Sequence, residues 1–217
     1  MDTTFLSVPA ARTLSTRGGA GLLVAALIGL MFVAREALPY FTLTEVHFGR
    51  YWPVRWWLLL HVTGGIVALL SGPVQLWLGL TDRSVRVHRR LGIVYIVSVA
   101  ASSLAGYYLA FHTTFGSTFG AGLAGLATAW IVTTGLAFAA IRRHLYEQHK
   151  EWMIRSYVVT TAFVTFRLWF SLLGWLGVGT RAERGAIMAW SCWAVPLLIT
   201  EAVLQGRKIL SGSQGIR

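Results

Sequence analysis

The chain has 217 residues, of which 55% are hydrophobic and 12% are charged, and its formal net charge is +11. The charged fraction is about half of that in an average soluble domain, and the mean hydropathy is +0.61. These values exclude a soluble globular domain and indicate an integral membrane protein. A single cysteine, Cys192, excludes an intrachain disulfide.

Apolar runs close to the about 20 residues that cross a bilayer predict about six transmembrane helices. The runs are residues 18–34, 56–80, 91–111, 119–141, 153–178 and 185–204. We interpret the first as a retained signal anchor, because five further spans follow it and no small-residue cleavage site closes it. The sequence therefore predicts an all-α, polytopic membrane helical bundle that forms one domain over residues 1–217.

Basic residues are concentrated on one predicted side of the membrane. The tail at 1–17, the connectors after the second and fourth spans and the tail at 205–217 carry about 13 of the 19 lysines and arginines. By the positive-inside rule, both termini are expected in the cytoplasm of what we predict to be a bacterial inner membrane. Because these residues lie in short loops, the charge indicates topology and contact with anionic lipid heads, and it argues against nucleic-acid binding.

The longest connector on the opposite side, residues 35–55, is rich in aromatic residues. Its Tyr40, Phe41, Phe48, Tyr51 and Trp52 are amphipathic rings that favour the headgroup region of a bilayer. Two interpretations follow: a simple aromatic belt, which we favour, and a partial lid over the bundle.

Arg167 lies inside an otherwise apolar run, at membrane depth. A charge there is costly enough that it should face the protein interior or a polar cavity. The guanidinium favours a carboxylate or phosphate partner, and the sequence offers no clear intramembrane acid, since Glu201 falls toward the cytoplasmic end of the last span. Backbone carbonyls, a lipid phosphate or a cofactor carboxylate remain as predicted partners.

Small residues form a stripe along one face of the second span. His61, Gly65, Ala68, Gly72 and Gln75 recur at spacings of three and four, as helix neighbours do. Such a stripe lets helices pack closely. The functional alternative is that the glycines make room for a flat cofactor that His61 ligates.

Four histidines fall at two predicted levels of the membrane. His61 and His112 lie near the outer surface, and His88 and His149 lie at the cytoplasmic ends of the third and fifth spans. Two imidazoles from different helices at one level can provide both axial ligands of a haem iron, whose propionates would supply anions for Arg167. The alternatives are polar helix ends that bind solvent or lipid, which we favour, and another metal or proton-handling role.

Three segments carry a resemblance to a known family. HVTGGIVALLSGPVQ from His61, HRRLGIVY from His88 and HKEWMIRSYVVTTAFVTFR from His149 together resemble a family of bacterial multi-pass membrane proteins known only as a domain of unknown function. The similarity covers the second to sixth spans and implies importance for His61, Gln75, His88, His149 and Arg167. A looser similarity links the chain to cytochrome b561-like and ferric-reductase-like haem bundles.

Three functions therefore remain open from sequence alone. The chain contains no GxSxG, GxxxxGK, HExxH or CxxC motif, so common hydrolase, ATPase and thiol-redox sites are not indicated. The first hypothesis, slightly favoured, is a haem b-binding membrane redox protein. The second is a transporter or lipid-binding bundle in which Arg167 and Gln75 contact an anionic lipid or small ligand, and the third is a non-enzymatic partner of a membrane assembly.

Overall fold

The protein, described here by a computed structural model over residues 16–81 and 84–212, is a helical bundle of the polytopic membrane type. Within those residues, five helices are long and apolar enough to cross a bilayer, and a bent pair can supply a sixth crossing. The helices are α1 (Thr16–Phe32), α2 (Glu45–Phe48), α3 (Arg55–Thr81), α4 (Val85–Phe111), α5 (Ser117–Arg142), α6 (Tyr146–Thr160), α7 (Ala162–Trp175) and α8 (Arg181–Gly212).

The helices follow one another around the bundle, with α6 packed inside. α3 packs along α4, α4 along α5 and α5 against α8, while α1 covers α3 and α7 covers α8. α6 contacts α3, α5 and α8. The buried core lies where these helices meet, and its members are Ala68, Tyr95, Val99, Leu126, Trp130, Val159, Ala162 and Cys192.

The bundle has two distinct ends. We call the end that holds the start of α4, the end of α5 and the start of α6 the basic end, because Arg89, Arg90, Arg142 and Arg143 lie there. It is the end predicted to be cytoplasmic. Of the predicted cytoplasmic groups, residues 1–15, Arg83 and Arg217 lie outside the described residues, and most of the predicted C-terminal tail is a continuation of α8 to Gly212.

The connector at residues 35–55 folds over the opposite end of the bundle. After α1 the chain continues through a π-helical turn (Val33–Ala37) and 3-10 turns (Leu38–Thr42 and Gly49–Val54) that flank α2. Phe48 is buried, and its ring makes edge contacts with Tyr40 at 5.3 Å and with Trp52 at 5.7 Å. The aromatic residues therefore form a small packed cluster, which places Tyr40 and Tyr51 over the bundle interior.

The predicted fifth span, residues 153–178, is not one straight helix. It is a pair, α6 and α7, bent by 41° at Thr161. The hydroxyls of Thr160 and Thr161 donate to the carbonyls of Ser156 at 2.9 Å and Val158 at 2.7 Å. Side-chain bonds of this kind compete with the helix ladder in a β-branched stretch. Ser156 and Thr160 thus belong to one helix and Arg167 to the other.

Two glycines of α3 make close helix contacts: Gly72 of the small-residue stripe and Gly64, which lies next to the stripe. A Cβ added at Gly64 would lie 2.7 Å from the Ser98 carbonyl oxygen of α4. A Cβ at Gly72 would overlap the ring of Tyr157 on α6. Small residues at these positions let α4 and α6 approach α3 directly.

Candidate functional site

A cavity of about 200 Å³ lies between α3, α4, α5, α6 and α7 and is closed above by the 35–55 connector. We call it the His61 cavity. Its walls are mainly apolar, with rings from Phe163 and Trp130 and aliphatic groups from Leu69 and Ile66. The polar side chains that line it are Glu36, Tyr40, Tyr51, His61, Ser103, Thr160 and Arg167.

Gly65 provides part of the space in the His61 cavity. It lines the cavity, and a Cβ built at Gly65 would meet no atom within 4 Å. Ala68 and Gly72, further along the same face, are buried in helix contacts. The stripe on α3 therefore packs against α6 at Gly72 and borders open space at Gly65.

His61 is held in one tautomer by α4. Its Nδ1 lies 2.8 Å from the Ser102 carbonyl oxygen, and the Ser102 hydroxyl donates back to the His61 carbonyl at 2.7 Å. A carbonyl oxygen only accepts, so Nδ1 carries the hydrogen and Nε2 of the neutral ring keeps its lone pair. Gly106 permits this arrangement, because a Cβ there would lie 3.3 Å from Nδ1.

Arg167 reaches the same cavity and has an acidic partner that the sequence analysis missed. Its Nε lies 3.5 Å from Oε2 of Glu36. We expected no intramembrane acid to match Arg167, because Glu36 falls in the predicted outer connector. That expectation was wrong, since the π-helical turn Val33–Ala37 continues α1 and presents Glu36 toward α7. The guanidinium side chain is 50% exposed, so the pair stands at the mouth of the cavity.

Ser103 is a cavity residue that sequence reasoning did not identify. It is fully buried, with 0% exposure, and its hydroxyl oxygen has no hydrogen-bond partner among the described residues. Buried hydroxyls are nearly always paired, so this one is available to bond a molecule that enters the cavity. In the sequence, the only indication of a role for Ser103 is that it follows Ser102, the residue that bonds His61.

Below the cavity, five polar side chains from three helices form a continuous hydrogen-bonded chain. Tyr95 Oη lies 2.8 Å from Ser156 Oγ and 2.9 Å from Thr160 Oγ1. Thr134 Oγ1 lies 2.7 Å from Ser156 Oγ, and Trp130 Nε1 donates to Thr160 Oγ1 at 2.9 Å. We call this set the Tyr95 network.

The donors and acceptors of the Tyr95 network balance. Trp130 can only donate, and the Thr160 hydroxyl donates to the Ser156 carbonyl, so Thr160 accepts from both Trp130 and Tyr95. Tyr95 then accepts from Ser156, which accepts from Thr134. A fully satisfied network of this kind rigidifies the floor of the cavity and fixes α6 against α4 and α5.

At the basic end, the structure brings together three of the predicted residues. The ring centres of His88 on α4 and His149 on α6 are 6.4 Å apart, with perpendicular planes. His149 Nδ1 donates to the Ala137 carbonyl at 2.9 Å, and Gln75 Nε2 donates to the His88 carbonyl at 2.9 Å. The Gln75 side chain therefore hydrogen-bonds to the backbone of α4 and does not line the His61 cavity.

The remaining nitrogen positions at this pair are open. His88 Nδ1 is buried without a hydrogen-bond partner among the described residues, and the Cε1 edge of its ring lies against Gly79, where an added Cβ would be 3.2 Å away. His149, oriented by its backbone bond, has Nε2 available. Backbone orientation of one ring nitrogen is the usual setting of a metal-bound histidine.

His112 does not join His61. It follows the last residue of α4, is exposed, and its Nδ1 donates to the Tyr108 carbonyl of its own helix at 2.8 Å. Its ring stacks on Tyr108 at 4.0 Å, and Tyr108 stacks on Trp57 at 4.4 Å. His112 is absent from the His61 cavity, so the residues around the predicted outer haem pair do not fit a haem held between His61 and His112.

A buried arginine at the basic end was interpreted from sequence only as a topology signal. Arg155 on α6 is 5% exposed, and its guanidinium donates to Glu201 Oε2 of α8 at 2.6 and 2.7 Å. Glu151 lies 3.5 Å from Arg155 and 2.8 Å from Lys208. These four residues tie α6 to α8. The spacing of Glu151 and Arg155, one helix turn, was the available signal.

Among the described residues, no group of three or more His, Cys, Asp or Glu side chains is placed to hold a metal ion.

No curated protein and no solved structure matches the chain. The family model described as "Predicted membrane protein (DUF2306)" matches residues 58–204. The match covers more than half of the chain, from α3 to α8, and includes His61, Ser103, His88, His149 and Arg167. The protein is thus a member of the DUF2306 family of membrane proteins.

Proposed function

We propose that this membrane protein binds a small lipophilic molecule in the His61 cavity. The observation that carries the proposal is the convergence of His61, Ser103 and Arg167, from three helices, on one cavity whose other walls are mainly apolar. Ligand sites in proteins have this composition: an apolar enclosure with few, placed polar groups.

The shape of the cavity supports binding from the membrane. At the mouth, the Glu36–Arg167 pair joins the turn after α1 to α7, and Val164 of α7 packs against the cluster of Val33, Ala37 and Leu69. Both side chains of the ion pair are about half exposed, whereas the deep wall consists of the buried Leu126, Trp130 and Val159. A molecule with a polar head and an apolar tail can enter at the mouth and leave its tail in lipid. This is the lipid-binding form of the second sequence hypothesis.

The cavity can be filled without disturbing its polar residues. Gly65→Leu places an aliphatic side chain in the open space, and Gly135→Leu is the matched control, because a Cβ at Gly135 also meets nothing and Gly135 is exposed on α5. Both changes replace a helical glycine by a good helix former. Denaturing mass spectrometry of organic extracts should find an occupant with wild type and Gly135→Leu and lose it with Gly65→Leu. Equal extracts from all three proteins would refute the proposal.

A haem-linked redox function is a second candidate, supported by the meeting of His88 and His149 at the basic end. The ring centres of His88 and His149 are 6.4 Å apart and His88 Nδ1 has no hydrogen-bond partner among the described residues, so these two imidazoles would hold the iron of haem b. When bound there, haem b would supply one-electron chemistry, and His149 would be held for ligation by Ala137.

An absorption spectrum tests this second candidate. Protein purified from haem-replete cells should show a Soret band and a reduced-minus-oxidised α band that His149→Ala removes. His144→Ala is the matched control, because His144 lies on an exposed turn at the same end, its ring against Tyr146. A colourless, iron-free preparation would end the redox interpretation and leave the cavity proposal intact.

A further inference from the structure

We infer that the molecule bound in the His61 cavity carries an uncharged, hydrogen-bonding ring as its head group, which is the chemistry of a lipid-soluble quinone or quinol. This inference rests on the proposed function and specifies the class of ligand.

The charge at the cavity mouth disfavours an anionic head. Arg167 is the cation that would attract a phosphate or carboxylate, and the Glu36 carboxylate stands 3.5 Å from its Nε. The pair has no net charge, and an anion placed beside Arg167 would also lie beside Glu36. The guanidinium nevertheless keeps hydrogen-bond donors for a neutral acceptor such as a ring carbonyl.

The polar groups deeper in the cavity require a ligand that both donates and accepts. His61 offers the lone pair of Nε2, because Nδ1 is fixed on the Ser102 carbonyl. Ser103 offers a buried hydroxyl that has no partner in the described structure and can donate or accept. A saturated acyl chain would displace solvent from both groups and bond to neither, which costs free energy. A quinol hydroxyl can donate to His61, and a quinone oxygen can accept from Ser103.

The volume fits a single substituted ring. A cavity of about 150 Å³ holds benzene, and sites for drug-sized ligands begin at about 300 Å³. The His61 cavity, at about 200 Å³, lies between these limits. It is too small to enclose a porphyrin or a phospholipid head with its glycerol. Phe163, which stands edge-on to His61 with 5.8 Å between ring centres, provides a flat wall for such a ring.

Photolabelling in quinone-free nanodiscs tests the inference. The probe is an azido-substituted 1,4-benzoquinone with a decyl tail, and the competitors are unlabelled decyl-benzoquinone, oleate and dioleoyl phosphatidylglycerol, each in excess. We expect cross-links to peptides of α3, α4 or α7, competition by the unlabelled quinone alone, and about tenfold weaker apparent affinity in Ser103→Ala, the loss of one buried hydrogen bond. Ser191→Ala is the control, since Ser191 bonds only within α8.

The outcomes separate the two proposals. Labelling that oleate or phosphatidylglycerol displaces, or that Ser103→Ala leaves unchanged, would overturn the quinone inference. The proposed function would nevertheless stand if wild type holds an extractable occupant that Gly65→Leu lacks. If the probe labels wild type and Gly65→Leu equally and neither protein holds an occupant, both proposals fail. Unchanged melting temperatures of the unliganded Ser103→Ala and Ser191→Ala variants would show that an affinity difference comes from the cavity.

Discussion

Arg167 on α7 and Glu36, four residues beyond the end of α1, form an ion pair with 3.5 Å between Nε and Oε2. Both residues line the His61 cavity, and Val164 of α7 also packs against the Val33, Ala37 and Leu69 cluster. The ion pair places an intramembrane charge beside an opposite one, as the cost of burying charges in a bilayer requires. The mouth is thereby made electrically neutral.

Removing the negative partner should change which molecules the mouth attracts. Glu36→Gln keeps the size of the side chain and leaves the guanidinium without a counter-ion, so we expect anionic phospholipid to co-purify in larger amounts. Phospholipid analysis of detergent-purified protein measures this. Glu45→Gln, an exposed change in the same connector, should leave the lipid content unchanged. Equal lipid content in Glu36→Gln and wild type would show that the carboxylate does not control the mouth.

The Tyr95 network should contribute measurably to stability. Tyr95→Phe removes a hydroxyl that is fully buried and bonded to both Ser156 and Thr160. We expect a loss of about 1–2 kcal/mol, above the average of about 0.6 kcal/mol for interhelical bonds in membranes, because a second polar group loses its partner as well. Thermal unfolding in detergent gives the difference. Tyr107→Phe, which removes an exposed bond to Thr128, should cost less; equal losses would refute a special role for the network.

Much of the fold could be predicted because hydrophobic length is a strong signal. Five of the six predicted spans coincide with helices of the structure, the first of them passing from α1 into the π-helical turn, and the fifth span contains the bend at Thr161. Hydrophobic length could not reveal that bend, since Val158, Val159, Thr160 and Thr161 do not interrupt the apolar run. The bend accompanies local hydrogen bonds from the Thr160 and Thr161 hydroxyls to carbonyls three and four residues earlier.

The candidate site was less predictable because it depends on which helices are neighbours. Periodicity indicated that His61 and Gly65 share a face, and membrane depth indicated that Arg167 faces inward. The helix order decides that Arg167 joins His61 and that His112 does not. Ser103 and Glu36 carry no distinguishing sequence pattern, and their roles arise only from the cavity that surrounds them.

The Arg155–Glu201 pair should behave as a partly buried ion pair whose members depend on each other. Glu201→Gln leaves Arg155, which is 5% exposed, with only the more distant Glu151, so we expect a loss of about 1–3 kcal/mol, reduced by the exposure of Glu201. The double variant Arg155→Met with Glu201→Met should lose less than the sum of the losses in Arg155→Met alone and Glu201→Met alone, because it leaves no unpaired charge. Thermal unfolding of the four proteins in detergent gives the coupling energy, and additive losses would show that the pair is energetically unimportant.

The contact between Gly72 and Tyr157 gives a size-dependent prediction for the core. Gly72→Ala would place a methyl group inside the ring position of Tyr157, which is itself buried and donates to the Leu69 carbonyl at 3.3 Å. Either α6 moves away from α3 or the ring leaves its place, and overpacking of this kind costs about 1–3 kcal/mol. Gly135→Ala is the control, because open space surrounds Gly135 and alanine favours the helix by up to about 1 kcal/mol. The two variants should therefore shift the melting temperature in opposite directions. If adding Tyr157→Leu restores the melting temperature of Gly72→Ala, the loss of stability comes from this contact. If Gly72→Ala were as stable as Gly135→Ala, α3 and α6 would not approach as closely as the small-residue stripe implies.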